Sequence, residues 1–228
     1  MKDLKKDITL QINTSDDNPA VIVGIKPTKN TSKQEKIYYV EGDDVYGAII
    51  PTANFDPIAW VLNVERLNIA LGHMSASSTQ RIVKLGSFCI NQISRFLSPD
   101  QATIAFAAIQ KPIMYLNTDI QQLSIPVSTI SYPVAGGIED TATNSLLVAE
   151  HMNKIIDNLY QIMAFELMHA SQSIDLKLLK DESLKLGDAT SKLHKEYRKV
   201  IPFLQKDRPL TPDIEKSYRF IRNYYSHS

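Results

Sequence analysis

Between Pro57 and Phe96 the chain carries one long apolar stripe. Trp60, Val64, Leu67, Leu71, Met74, Ile82, Leu85, Cys89, Ile93 and Phe96 follow one another at steps of three and four, with Ser78 filling the single gap. This spacing puts every one of them on the same face of an α-helix. A helix beginning at Pro57, a favoured first-turn residue, and running through this stripe is far longer than the mean of about 11–12 residues. A second helix of this kind is expected from about Ile138 to Leu179, with Leu179-Lys180-Asp181-Glu182 breaking it. A 228-residue globule does not easily cover two such stripes. Helices of this length usually pack into bundles, often between subunits. Gly72 and Gly86 each weaken the first helix by about 1 kcal/mol and mark places where it could kink.

Outside these helices the local signals are shorter. Residues 1–13 read as a short helix or a helix end, and NTSDDNPAV as loop. AVIVGIKP and KIYYVEGDDVYGAII are rich in Val, Ile and Tyr and read as two strands joined by the polar loop KPTKNTSKQE. A helix is expected to restart at Ser98-Pro99-Asp100 and run to roughly Asn117, with 121–136 extended. Another helix is expected within Ser183–Phe203. A last one opens at Thr211-Pro212, where Asp213 and Glu215 load the first turn with negative charge. The resulting fold class is mainly α: a long-helix bundle over 57–228, preceded by a loop and small β-hairpin segment over 1–56.

The charge balance excludes some partners. Lys+Arg and Asp+Glu both number 25, so nothing calls for nucleic acid or a membrane surface, and a neutral chain is mildly prone to associate. The single cysteine, Cys89, allows no disulfide within the chain and no thiolate metal cluster. Its place on the apolar stripe predicts a core position. No apolar run reaches the ~18 residues needed to span a bilayer, and MKDLKKDITLQIN lacks the apolar heart of a signal peptide. A soluble, cytoplasmic protein is expected.

Few residues carry chemistry on their own. Glu139 and Asp140 follow Gly136-Gly137 at an expected helix start. Position alone favours decoration of the helix dipole, worth about 0.3–1 kcal/mol, over catalysis. The two glycines would let backbone approach a ligand or another backbone. Glu166 lies among Phe165, Leu167, Met168 and Ala170 and must be paired, so a structural ion pair is expected. Gln172 and Asp175 read as polar pegs between helices. The five histidines, His73, His151, His169, His194 and His227, show no metal-ligand spacing and read as surface or satisfied interface residues. Phe55, between Asn54 and Asp56, either plugs a core or lines a pocket.

The order of the segments goes further. NTSDDNPAV at 13–21, ANFDPIAW at 53–60, QRIVKL at 80–85, TISYP at 129–133, IED at 138–140, FELMHASQSID at 165–175 and TPDIEKSYRFIR at 211–222 follow one another. This resembles the carboxyl-terminal half of the histidine and aromatic amino acid ammonia-lyases over nearly the whole chain, the 22–50 hairpin excepted. The resemblance implies long, nearly parallel helices in a tetrameric core, with active sites built from several subunits. It implies a methylidene-imidazolone electrophile, formed from an Ala-Ser-Gly triplet, and elimination of ammonia from an amino acid after a tyrosine base removes the β proton. It implies that Glu139 is the active-site acid that handles the substrate's amino group near the electrophile. Phe55, with Asn54 beside it, matches the aromatic of a Gly-Asn-Phe loop packed against substrate and cofactor.

This chain contains no Ala-Ser-Gly triplet and no Gln-x-x-Tyr-x-x-Arg segment. A start at Met1 without them suggests a split enzyme, whose amino-terminal half is a second polypeptide carrying the electrophile and base. The expected assembly is then a hetero-oligomer with a tetrameric core. Several positions depart from the family pattern: Ala53 replaces Gly, Asp56 stands where His or Gln is usual, Ile138 replaces Gln or Asn, and ATIAF (102–106) stands for Gly-Leu-Asn-Ser-Gly. These changes leave room for another amino acid substrate, an aminomutase, or an inactive helical oligomeric interaction protein of the same descent.

Overall fold

The computed structural model describes residues 1–14, 18–51, 56–130, 132–137 and 143–224. Among them are seven α-helices and a three-stranded sheet, so the chain is mainly α. It divides into two compact units, one formed by Met1–Leu67 and Pro126–Ala149, the other by Asn68–Ile125 and Glu150–Ser228. Two long helices contribute to both: α2, Ile58–Leu85 (28 residues), and α5, Ser145–Lys180 (36 residues).

In the first unit, α1 (Lys2–Ile12) buries only Leu4. It meets the start of α2 through polar contacts: Arg66 pairs with Asp3 at 3.2 Å, and the Asn63 amide donates to the Asp7 carboxylate. The sheet consists of β1 (Ala20–Val23), β2 (Tyr39–Glu41) and β3 (Tyr46–Ile50), in the order β1-β3-β2 with both pairs antiparallel. The run expected as one strand, KIYYVEGDDVYGAII, therefore holds two, because Gly42 donates to the Val45 carbonyl at 2.8 Å and reverses the chain. Gly47 of the central strand admits no side chain, since a Cβ there would lie 2.2 Å from the Ile22 carbonyl oxygen.

The core of the second unit gathers Ile82 from α2, Phe106, Ile113 and Ile120 from the α4 region, and Ile155 and Ile162 from α5. Here α4 is Gln110–Leu123, entered through a 3₁₀ turn at Ala105–Ile109. From Met163 to Ser173 every residue of α5 is buried or half-buried, the pattern of a helix enclosed on all sides. α6 (Asp188–Arg198) and α7 (Thr211–Tyr224) complete the unit.

Several expected boundaries move. The second long helix opens at Ser145, not near Ile138, and α4 runs on to Leu123, past the expected end near Asn117. The first long helix stops at Leu85, not near Phe96. The Asn91 amide donates to the Leu85 and Ser94 carbonyls at 2.6 and 2.9 Å, and the chain turns through the short α3 (Phe88–Asn91). Cys89 is consequently exposed, not in the core. Nor does a helix restart at Ser98. The Asp100 carboxylate accepts the N–H groups of Ala102 and Thr103 at 2.9 and 2.8 Å and holds a loop instead. The break after α5 falls where expected, with Ser183 donating to Asp181 at 3.0 Å. No described helix is long and apolar enough to cross a membrane.

Candidate functional site

Asn54, Phe55 and Glu139 lie outside the described residues, but both flanks of their segments are described. On one side, the Asp56 carboxylate accepts the Ile58 N–H at 3.0 Å and starts α2. On the other, Ala135, Gly136 and Gly137 form a 3₁₀ turn in which all three residues have left-handed backbone, with φ of 50°, 71° and 90°. Among the described residues, a Cβ on either glycine would meet no heavy atom within 4 Å. Their backbone handedness by itself favours glycine at both positions.

The turn is preceded by a loop clamped from two sides. The Glu65 carboxylate, 6% exposed, accepts the N–H of Val127 at 2.7 Å, the N–H of Ser128 at 2.9 Å and the Ser128 hydroxyl at 2.6 Å. Asn144 donates its amide to the carbonyls of Val127 and Ile130, at 3.0 and 2.6 Å. Its own carbonyl accepts the Val148 N–H at 3.0 Å and so opens α5. One helix thus holds the loop's donors while the residue ahead of another holds its acceptors. Sequence reasoning missed both residues. The signal was present for Glu65, an acid within the stripe between Val64 and Leu67, to which the burial argument used for Glu166 applies equally.

In the second unit the buried polar side chains mostly satisfy one another. Glu166 accepts hydrogen bonds from Ser78 and Arg81, including one from Arg81 Nη2 at 3.0 Å, which is the expected structural pair. Gln172 bridges two segments as a peg: its amide donates to Leu204 O at 3.0 Å and its carbonyl accepts Leu204 N–H at 3.0 Å. Asp175 pairs with His194 at 2.9 Å and Arg198 at 2.6 Å. The Tyr197 hydroxyl meets Ser217 at 2.9 Å, and burial raises its pKa above the usual phenol range.

His169 departs from the satisfied role expected of it. It is fully buried, with Nδ1 2.7 Å from the Phe165 carbonyl and its ring centre 4.6 Å from that of Phe106, but Nε2 has no hydrogen-bond partner among the described residues. Burial pulls its pKa down to about 4. Among the described residues, no cluster of three or more His, Cys, Asp or Glu side chains could hold a metal ion.

Residues 1–199 match the model of the aromatic amino acid lyase family, and the chain belongs to that family. It is similar to histidine ammonia-lyase 1 of Fusobacterium nucleatum, 29% identical over 221 residues that cover 96% of this chain and 38% of that one. Against histidine ammonia-lyase of Bacillus subtilis the identity is 26%, over 93% of this chain and 37% of the relative. Among solved structures, the ergothioneine-degrading ergothionase of Treponema denticola superposes with a TM-score of 0.79 and 34% identity, covering 97% of this chain and 40% of that one. Pantoea agglomerans phenylalanine aminomutase shares the fold, with a TM-score of 0.77 at 21% identity. The chain spans about two fifths of the length of the relatives it matches.

Proposed function

We propose that this chain is the carboxyl-terminal part of a split amino acid ammonia-lyase, acting on histidine or an aromatic amino acid. The observation that carries the reading is a family match over 1–199 in a chain without an Ala-Ser-Gly triplet. The methylidene-imidazolone group requires that triplet, so the residues present do not fit its formation here. The partner is an amino-terminal lyase-half polypeptide, and the working form is a hetero-oligomer. The relatives named above at 26% identity or more act, by their names, on histidine and on ergothioneine, which favours a substrate bearing an imidazole ring; the phenylalanine aminomutase, at 21%, shares the fold alone.

The contribution of this chain is positional and acid–base. Glu139 takes the role that the family resemblance gives it, handling the substrate's amino group. The loop held by Glu65 and Asn144 leads into its segment, so the rigidity of that loop sets where the carboxylate is presented. Asn54 and Phe55 take the substrate-contact role that the family resemblance gives them. Co-expression with a chain carrying Ala-Ser-Gly and Gln-x-x-Tyr-x-x-Arg tests this. Ammonia and a urocanate- or cinnamate-like product should form only with both chains, and Glu139→Gln should lower kcat by about 10²–10⁴. No product from the mixture, or no effect of the substitution, favours the second reading: an inactive, helical oligomeric interaction protein. That reading draws support from Asp56, which caps a helix at a position where the family usually carries His or Gln.

A further inference from the structure

In the second unit, the segment 93–107 and the end of α5 border an open groove of about 790 Å³, a size suited to small organic ligands. Part of its lining is apolar. Ile104 and Leu179 contribute to it while 64% and 72% exposed, and Phe96 and Leu176 extend the same surface.

Two cations stand at this lining, and neither has an acidic partner among the described ion pairs. The Arg95 guanidinium lies over the Phe96 ring, 4.7 Å from its centre, and Lys180 Nζ reaches only the Gln92 carbonyl at 3.5 Å. The one acid in the lining, Asp100, is engaged by its own loop. Bonds from the Thr103 hydroxyl and from the Thr103 and Ala102 N–H groups hold its carboxyl below the usual range. Two cations against one carboxylate leave the groove a single positive charge.

Both sides of the groove are fixed in advance. The Asn91 carbonyl accepts Ile93 N–H at 2.6 Å, and the Asp207 carboxylate accepts the N–H groups of Ile104 and Ala105 at 2.9 Å each. Gln92, Phe96, Leu97 and Ala105 all hold left-handed backbone, with φ between 52° and 57°. Such conformations in residues other than glycine concentrate at ligand clamps and active sites. The ATIAF stretch, where the sequence leaves the family pattern, supplies Thr103 and Ile104 to this lining.

We propose that this groove binds a small monocarboxylate with an apolar or aromatic body. The carboxylate faces Arg95 and Lys180, and the body lies on Phe96, Ile104 and Leu179. Guanidinium groups match carboxylates geometrically, and one net positive charge suits a monoanion better than a phosphate dianion. The assignment does not depend on the lyase reading.

The test uses the full chain in the form in which it purifies, alone or with a companion subunit. It is titrated with 3-phenylpropanoate and with the neutral 3-phenylpropanamide, followed by heat and by the methyl resonances of Ile104 and Leu179. Saturable binding of the acid should perturb those methyls and weaken at least about tenfold in Arg95→Gln and Lys180→Gln, and for the amide. Both substitutions are at exposed positions and should leave the unfolding midpoint unchanged. Absence of saturable binding, equal binding of the amide, or unchanged binding by both variants overturns the proposal.

Discussion

Gly72 and Ser124 approach so closely that a Cβ on the glycine would lie 2.7 Å from the serine hydroxyl oxygen. That hydroxyl shares its one proton between the carbonyls of Ile120 and Asn68, at 2.7 and 3.0 Å, and cannot swing away without losing both contacts. Gly72 is therefore a contact point between α2 and the end of α4 and not a kink. Gly72→Ala should destabilise the protein by about 1–3 kcal/mol through overpacking, despite a helix-propensity gain of about 1 kcal/mol. Denaturant unfolding checks it, and the double variant with Ser124→Ala should recover most of the loss.

Glu65→Ala removes the acceptor of three hydrogen bonds at once. Two backbone N–H groups are left behind, each costing about 1–3 kcal/mol if water does not reach it. The variant should lose about 2–4 kcal/mol in chemical denaturation, and Glu65→Gln, which keeps an acceptor oxygen, should lose less.

His169 makes stability depend on acid. Its folded pKa of about 4 lies below the ordinary 6.5 that it regains on unfolding. The unfolded chain therefore binds the proton first. The contribution is intact above pH 6.5, is lost as pH falls from 6.5 towards 4, and changes no further below that. Its size is on the order of 3 kcal/mol. Unfolding free energies measured across this window should fall with pH, and His169→Leu should flatten the slope.

Gln172→Leu keeps the size of the peg but strips its polar end. The buried Leu204 N–H and C=O then lose their partners. The expected cost is about 2–4 kcal/mol, read as a lower thermal midpoint.

The sequence exposed its periodic and charged features most readily. The stripe announced α2, the Lys-Asp-Glu run marked the end of α5, and an acid among apolar neighbours pointed to the Glu166 pair. Side-chain capping of the backbone was harder to read. Cys89, Ile93 and Phe96 continue the helical spacing past Leu85, and only the Asn91 amide, bonding two carbonyls across a turn, reveals that the chain has left the helix. Ser98-Pro99-Asp100 looked like a helix start, yet the Asp100 carboxylate holds a loop. The clamp on 126–130 joins residues more than 60 positions apart, a relationship that no local window contains.

The amide protons of Val127 and Ser128 depend on that clamp, for they belong to no helix or strand. Their shelter comes from a side chain on α2, so their exchange into deuterated solvent slows only once that distant helix is seated. The two amides thus act as built-in gauges of assembly, able to register a loosened α2 even while the helix itself still reads as helical.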